Sequence, residues 1–258
     1  MKIITTLAIA CLMFCSNLLF AQNEHFTVHG TIEFEKSINM FALIQKQINP
    51  ENEAFFTPIL ESYKKTQPQF KKVKSTLSFT DNKTLYRPVE SNESTDGFFS
   101  DMAMAGQPNV IYTDLDTKTS QTQKKVYEEL FMVKDSVRKI TWKITDETRE
   151  IAGYTCRRAN ALVMDSIYVV AFYAIQIPVS GGPESFTGLP GMILGLAIPH
   201  ENITWFATKV TDMTVDPKAM VMPKKGKPVT GKQLRETLAE LMKNWGPWAQ
   251  LQKKALLL

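Results

Sequence analysis

The feature that most constrains this chain is a series of short segments in which apolar and polar residues alternate, with turn-forming residues about every ten positions. Strands are predicted over 26–34, 73–79, 83–89, 109–114, 121–131, 139–145, 149–162, 165–176, 193–198 and 203–210. Turns are predicted between them at 81–82, 135–136, 146–147, 164–165 and 199–202. Parallel βαβ units would need a helix between consecutive strands, so this spacing favours an antiparallel meander.

Helices are predicted on the N-terminal side of this series. Apolar residues follow helical spacing over 38–48. A second helix is predicted over 51–65, where Phe55, Ile59 and Tyr63 share one face. Both segments are short and amphipathic, so we expect them to pack on the sheet.

The C-terminal region predicts one further helix after a Pro- and Lys-rich linker at 217–228. Thr230 and Gln233 have the spacing of a capping box, which marks a helix start. The helix is predicted to end near Gly246-Pro247 and to dock on the sheet. Its apolar stripe consists of Leu234, Leu238, Leu241, Met242 and Trp245.

These elements predict an α+β, mainly β fold: a single curved antiparallel β-sheet with N-terminal and C-terminal helices packed on it. We expect a signal peptide at 1–21, a β-rich domain at 22–216, and a linker with a docking amphipathic helix at 217–258. Residues 91–108 are polar and aperiodic, so they are predicted to form an exposed loop.

The first 21 residues have the pattern of a secretory signal. Lys2 supplies the positive end, 3–14 form the apolar stretch, and cleavage is expected between Ala21 and Gln22. The alternatives are a membrane anchor, for which the stretch is short, and lipidation at Cys11. We therefore expect a secreted protein that is periplasmic or associated with the outer membrane.

Cleavage would remove two of the three cysteines, Cys11 and Cys15, and leave Cys156. One cysteine forms no intrachain disulfide, so the stability of the mature chain must come from its core. Free cysteine is usually a small buried hydrophobe, and this role is favoured for Cys156 over redox or catalytic chemistry.

Charge and hydropathy exclude two classes of partner. The formal net charge is +4, and the basic residues are scattered, whereas nucleic-acid binding needs a clustered basic face. After the N-terminus no apolar run reaches the roughly 18 residues of a membrane span. We therefore expect no nucleic-acid partner and no membrane-spanning segment.

The most unusual segment is PVSGGPESFTGLPGMILGL at 178–196, which concentrates turn-forming residues. Pro190 fixes its own φ, and Gly191 is suited to the positive φ at the third position of a type II turn. The candidate binding residues form the segment called the motif loop below: Gly188, Leu189, Pro190, Gly191, Met192 and Ile193. A purely structural turn is an equal alternative for this loop.

GLPGMI at 188–193 resembles the signature of the GLPGLI family, exported proteins of diderm bacteria named after that hexapeptide. The neighbouring segments IAGYTCRRA at 151–159 and FYAIQIP at 172–178 agree with this resemblance, which covers roughly 139–211. Met192 replaces the usual leucine with a side chain of similar volume. The resemblance implies an envelope protein without a generally established enzymatic activity. A weaker, fold-level likeness is to carriers of the LolA type.

The remaining polar residues do not form a recognisable catalytic or metal-binding pattern. His25 and His29 would lie roughly 13 Å apart on one strand, which is too far to share a metal ion. Ser185 is not in a nucleophile elbow. Structural or solvent-exposed roles without chemistry are also predicted for His200, Asp96, Asp101, Asp114, Asp116, Ser180 and the aromatics Tyr168, Phe172, Tyr173, Trp205 and Phe206. We expect no catalytic residue, metal or cofactor.

The sequence thus predicts a secreted, non-catalytic envelope protein that acts as a binding or assembly partner, linked to outer-membrane transport or export. The expected partner is an envelope or outer-membrane protein. The alternative is a periplasmic carrier of a lipid or another apolar ligand, held in the concavity of the sheet.

Overall fold

The computed structural model describes residues 25–90, 99, 102–246 and 248–258, so the predicted signal peptide and most of the predicted loop at 91–108 lie outside it. Twelve strands and five α-helices are present in these residues. The strands are β1 (Gly30–Asn39), β2 (Phe70–Thr80), β3 (Lys83–Pro88), β4 (Val110–Asp114), β5 (Thr119–Val126), β6 (Glu129–Ser136), β7 (Lys143–Ile151), β8 (Tyr154–Val163), β9 (Ile167–Ala174), β10 (Met192–Ile198), β11 (Ile203–Asp212) and β12 (Lys227–Thr230). The helices are α1 (Met40–Gln45), α2 (Glu53–Thr66), α3 (Ala103–Gly106), α4 (Gly231–Leu241) and α5 (Trp248–Leu257).

All twelve strands belong to one sheet, in the order β12-β6-β5-β4-β3-β2-β1-β11-β10-β9-β8-β7. Every pair is antiparallel except β12 with β6, which is parallel. The sheet is strongly curved: the guanidinium carbon of Arg149 in β7 lies 4.8 Å from the ring centroid of Phe206 in β11, although three strands separate β7 from β11. The predicted fold class is confirmed.

The predicted single meander is wrong, because the sheet consists of two meanders. Strands β2–β6 form one and β7–β11 form the other, while β1 pairs with both β2 and β11 and joins them. Strand β7 therefore lies at the far edge of the sheet and not beside β6. Residues 137–142 connect the two meanders.

Two of the long predicted strands are hairpins. The segment 121–131 is divided by a turn at Tyr127, and 149–162 is divided at Ala152-Gly153. Tyr127 and Ala152 have φ values of 53° and 51°, which side chains of their type rarely adopt, so composition did not indicate these turns. The turn predicted at 146–147 lies inside β7, where the register with β8 shifts between Ile144 and Thr148.

The N-terminal elements are displaced from their predicted bounds. The predicted strand 26–34 starts at Gly30 and continues through Ile38, which pairs on both sides, so helix α1 is only six residues long. Helix α2 agrees with its prediction and includes Pro58. Of the predicted face, Ile59 and Tyr63 are partly buried against the main core, whereas Phe55 is 60% exposed; the fully buried residue of the helix is Leu60.

The C-terminal region contains two elements that the sequence did not indicate. Strand β12 lies in the predicted linker, and helix α5 follows the predicted end of the chain's last helix. The capping box of α4 is confirmed, since the Thr230 side chain accepts from the Gln233 backbone N–H and the Gln233 side chain accepts from Thr230. The Leu241 and Trp245 side chains of the predicted stripe are exposed.

The apolar interior of the described residues is divided into a main core, a smaller cluster beneath the C-terminal helices, and a third cluster of Leu85, Val215 and Met220. The main core is formed mostly by β1–β3 and β8–β11 with helices α1 and α2. The smaller cluster lies where α4 and α5 cover β5 and β6, and it includes Val126, Phe131, Leu234, Leu238 and Leu256. No helix in the described residues has the length and apolar character needed to cross a membrane.

Candidate ligand-binding site

A cavity of about 390 Å³ lies between strands β4–β6 and helices α4 and α5, and it is called the C-terminal cavity below. Its floor consists of two rows of side chains, because the register of β4, β5 and β6 aligns residues across the three strands. The two rows are Ile111–Thr122–Val133 and Thr113–Ser120–Asp135. The floor therefore has three hydroxyl side chains, two aliphatic side chains and one carboxylate.

Lys124 of β5 contributes a buried charge to this cavity. It is 6% exposed, and its Nζ donates to the carbonyl oxygen of Leu256 at 2.6 Å. Burial lowers the pKa of Lys124 to about 8, against the raising effect of the Glu184 charge. Lys124 therefore stays mainly protonated at neutral pH, although its pKa lies well below the ordinary value for lysine.

Arg138, in the segment after β6, lies beside the same helix end. Its Nη2 donates to the carbonyls of Leu257 at 2.6 Å and Leu258 at 3.3 Å, while burial lowers its pKa. Ser185 Oγ also donates to Leu258 O, at 3.0 Å. These three side chains cap the last turn of α5, whose carbonyls have no partner within the helix.

Several polar atoms around the cavity have no hydrogen-bond partner among the described residues. They are Arg138 Nη1, Asn109 Oδ1 and Thr187 Oγ1. Asn109 and Thr187 are 3% and 4% exposed, and the Asn109 Nδ2 group donates to Glu184 Oε2 at 3.0 Å. A buried polar group without a partner costs about 1–3 kcal/mol, so such groups need compensation.

The charge of the lining is predominantly positive. Four basic residues line the cavity, Lys124, Arg138, Lys139 and Arg235, against one acidic side chain, Asp135. Opposite charge on a ligand would be attracted into such a site.

A second buried polar residue, Lys36, lies next to the cavity and interacts with the charge of Glu184, as Lys124 does. Lys36 is 7% exposed, donates to Met104 O at 2.9 Å, and lies 5.0 Å from the Trp205 ring centroid. Burial lowers its pKa, and the Glu184 charge opposes this effect. Burial and Glu184 together raise the pKa of Tyr86 well above its usual value. Glu184 therefore balances the buried cations Lys36 and Lys124.

The motif loop lies at the end of β9 and the start of β10 and is mostly buried. Leu189, Gly191, Met192 and Ile193 are buried, while Gly188 and Pro190 are exposed. The predicted positive φ of Gly191 is wrong, because Gly188 has it instead, at +97°. A Cβ on Gly191 would lie 2.1 Å from Ala174 O, so close backbone approach is what requires glycine there.

Side chains outside the motif support this loop. Trp142 Nε1 donates to Thr187 O at 2.9 Å, and Ser180 Oγ accepts from Gly188 N at 3.0 Å. The loop thus joins the main core on one side and brings Ser185 and Thr187 to the C-terminal cavity on the other.

The other candidate residues have structural surroundings. Cys156 is fully buried, its Sγ donates to Tyr154 O, and burial raises its pKa to about 12. His25 and His29 precede β1, so the strand spacing does not apply to them. Both contact Asp212, with His29 Nδ1 3.3 Å from Asp212 Oδ1.

The remaining carboxylates and aromatics are equally accounted for. Asp114 accepts from the backbone N–H of Asp116 and Thr117, at 3.1 and 2.9 Å, and so closes the β4–β5 turn. Asp96 and Asp101 lie outside the described residues. His200 is exposed, and the aromatics that pack in or against the main core are Tyr168, Phe172, Tyr173, Trp205 and Phe206.

Sequence reasoning missed the cavity, although one signal for it was present. Lys124 lies between Thr122 and Val126 on the inward face of an alternating strand. Lysine is almost never fully buried without a partner, so a lysine at an inward position indicates a buried polar site.

Comparisons with known proteins show the fold and a match of one short segment to a family of unknown function. Residues 162–195 match the model of a family described as a protein of unknown function (Porph_ging). A comparison with curated proteins finds no match.

Two solved structures of PNGF-II are similar to this chain. One has a TM-score of 0.51 at 15% identity and the other 0.50 at 17%, and each covers 81% of this chain. The chain spans 32% and 33% of the length of those two PNGF-II chains. At these identities the likeness shows a shared fold.

Proposed function

We propose that this protein is an exported, non-catalytic binding protein of the cell envelope that holds a small ligand in the C-terminal cavity. The observation that carries the proposal is a set of buried polar atoms around that cavity that have no partner in the part of the chain that the structure describes: Arg138 Nη1, Asn109 Oδ1 and Thr187 Oγ1. A volume of about 390 Å³ is within the usual range of small-molecule sites.

Capping of helix α5 accounts for only part of this arrangement. It uses Arg138 Nη2, Lys124 Nζ and Ser185 Oγ. It leaves Arg138 Nη1 and Asn109 Oδ1 without a role, although both are buried. A ligand that bonds to these atoms would offset the cost of burying them.

The candidate nucleophiles support a binding role over catalysis. The Cys156 thiol stays protonated because its pKa is raised to about 12, and the thiolate is the reactive form. The Lys124 amine is already bonded to the Leu256 carbonyl. These groups are arranged to donate hydrogen bonds.

The leader pattern and the motif support placement in the envelope. The proposal takes residues 1–21 as a signal peptide that is cleaved near Ala21-Gln22. It also takes the chain as a member of the GLPGLI family, whose hexapeptide is matched at 188–193. Linkage to outer-membrane transport or export, with an envelope protein as partner, is part of the same proposal.

The lining favours a polar ligand over the lipid of the alternative carrier hypothesis. Lys124 and Arg138 would face hydrocarbon if a lipid filled the cavity, and charges next to hydrocarbon are costly. The burial of four of the six motif residues also supports a structural turn for this loop, with docking left to Gly188 and Pro190.

Native mass spectrometry of protein purified from envelopes tests the proposal. We expect a small-molecule adduct that is released unchanged on denaturation. The Lys124→Met variant should lose the adduct, whereas Lys125→Met should keep it, because Lys125 is exposed on the opposite face of the same strand. Equal adduct levels in both variants, or none in the wild type, would contradict the proposal.

A further inference from the structure

The C-terminal segment of the chain shows what chemistry the cavity wall can bind. Three side chains donate to the carbonyl oxygens of three consecutive leucines, Leu256, Leu257 and Leu258. The donors are Lys124, Arg138 and Ser185, at 2.6, 2.6 and 3.0 Å. One wall of the cavity is therefore built around an aliphatic peptide segment.

Donor capacity remains after these bonds are made. A lysine ammonium has three N–H groups and a guanidinium has five, so one bond from Lys124 and two from Arg138 leave N–H groups unused. Arg138 Nη1 is buried and has no hydrogen-bond partner within the described ranges of the chain. An oxyanion is the acceptor that such paired cationic donors bind most strongly.

Asn109 offers the ligand a hydrogen-bond acceptor, whereas Lys124 and Arg138 offer donors. Its Nδ2 is committed to Glu184, which leaves Oδ1 as a buried acceptor without a donor among the described residues. The ligand must therefore carry an N–H or O–H group as well as its anionic group. Acetate at neutral pH has no such donor, whereas hydrogen phosphate has an O–H group and meets both polar requirements.

The cavity also has an aliphatic part in its lining. Ile111, Val133 and Leu234 line the same cavity. Burial of an aliphatic side chain of a ligand against them contributes about 25 cal/mol per Å² of apolar surface.

Resting on the proposed function, we infer that the ligand is a short aliphatic peptide with a free α-carboxylate. The carboxylate binds Lys124 and Arg138 Nη1, a backbone N–H donates to Asn109 Oδ1, and the side chains pack on the aliphatic row. The net positive lining attracts the negative end of the peptide.

Isothermal titration calorimetry with the dipeptide Leu-Leu as probe tests this inference. We expect binding to the wild type, and at least tenfold weaker binding of the C-terminal amide of Leu-Leu, which lacks the charge. Acetate and inorganic phosphate should bind more weakly than Leu-Leu. Lys124→Met should lose at least tenfold in affinity, and Lys125→Met should be unchanged.

A second variant keeps the test valid if Lys124→Met does not fold. Asn109→Asp places a second carboxylate beside Glu184 and replaces the amide with a group that repels the ligand's carboxylate, so it should weaken Leu-Leu binding in folded protein. Equal affinity for Leu-Leu and its amide, or for inorganic phosphate, would overturn the peptide inference. A Lys124-dependent adduct of different chemistry in native mass spectrometry would then still support the proposed function, and the absence of any such adduct would end both.

Discussion

Lys124 is the residue in which burial, charge and the proposed site meet. Its ammonium group is removed from water, with the Leu256 carbonyl and the more distant Glu184 charge as compensation. Burial without full pairing lowers the pKa of a lysine. Burial of this charge lowers the stability of the folded protein. Such destabilisation is tolerated where the charged group serves to bind a ligand.

This cost predicts a pH dependence of stability with a definite sign. The pKa of Lys124 is about 8 in the folded state and 10.5 when solvated, so above pH 8 the unfolded chain binds more protons and stability rises with pH. Between pH 8 and pH 9 the free energy of unfolding should rise by about 1 kcal/mol more in the wild type than in Lys124→Met. Urea denaturation across this range measures it, with Lys125→Met as the control. Equal slopes in the wild type and Lys124→Met would show that Lys124 does not titrate there.

Cys156 predicts a second measurable consequence of burial. Its pKa is about 12 and its side chain is fully buried, so the folded protein should not react with a thiol reagent at pH 8. Reaction should become fast in guanidinium chloride, where the thiol regains its ordinary pKa. Labelling with 5,5′-dithiobis(2-nitrobenzoic acid) measures this, and rapid modification without denaturant would refute the packing role.

At the scale of single elements, the motif loop shows two different physical reasons for a glycine: close approach of another backbone, and a positive φ. Gly191 excludes any side chain because of the Ala174 carbonyl, while Gly188 is constrained by its φ of +97° alone. Gly153 is a matched control for φ, since it lies at +84° with no atom within 4 Å of its Cβ position.

Substitution by alanine should therefore rank these glycines. Gly191→Ala should lower the free energy of unfolding by about 3 kcal/mol, because the backbone must move. Gly188→Ala and Gly153→Ala should each cost about 1 kcal/mol, from strain at positive φ. Chemical denaturation measures all three, and a loss for Gly191→Ala no larger than for Gly153→Ala would show that close approach does not matter.

The sequence predicted elements well where local physics decides them. The hairpin at 81–82 uses Asp81 and Asn82, which adopt positive φ readily, the hairpin at 164–165 contains Asp165, and the Thr230 capping box marks α4. The turns at Tyr127 and Ala152 were missed because tertiary pairing, and not residue preference, imposes their conformation. Strand β12 was missed because four residues that include Pro228 carry little strand signal.

At the scale of the whole molecule, the fold class followed from the sequence and the strand order did not. Strand β1 pairs with β11, which lies more than 160 residues later in the sequence according to the register Gly30↔Asp212. No local sequence pattern encodes this long-range contact. The C-terminal cavity depends on the same long-range order. It needs β4–β6, Ser185 and Thr187 just before the motif loop, and helices α4 and α5 to meet, although they lie far apart in sequence.

A crystal structure of the protein purified from its own envelope, without added ligand, tests the central claim most directly. We expect electron density for a small organic molecule in the C-terminal cavity, within hydrogen-bond distance of Lys124, Arg138 and Asn109. Ordered water alone in that cavity would contradict a ligand-binding role.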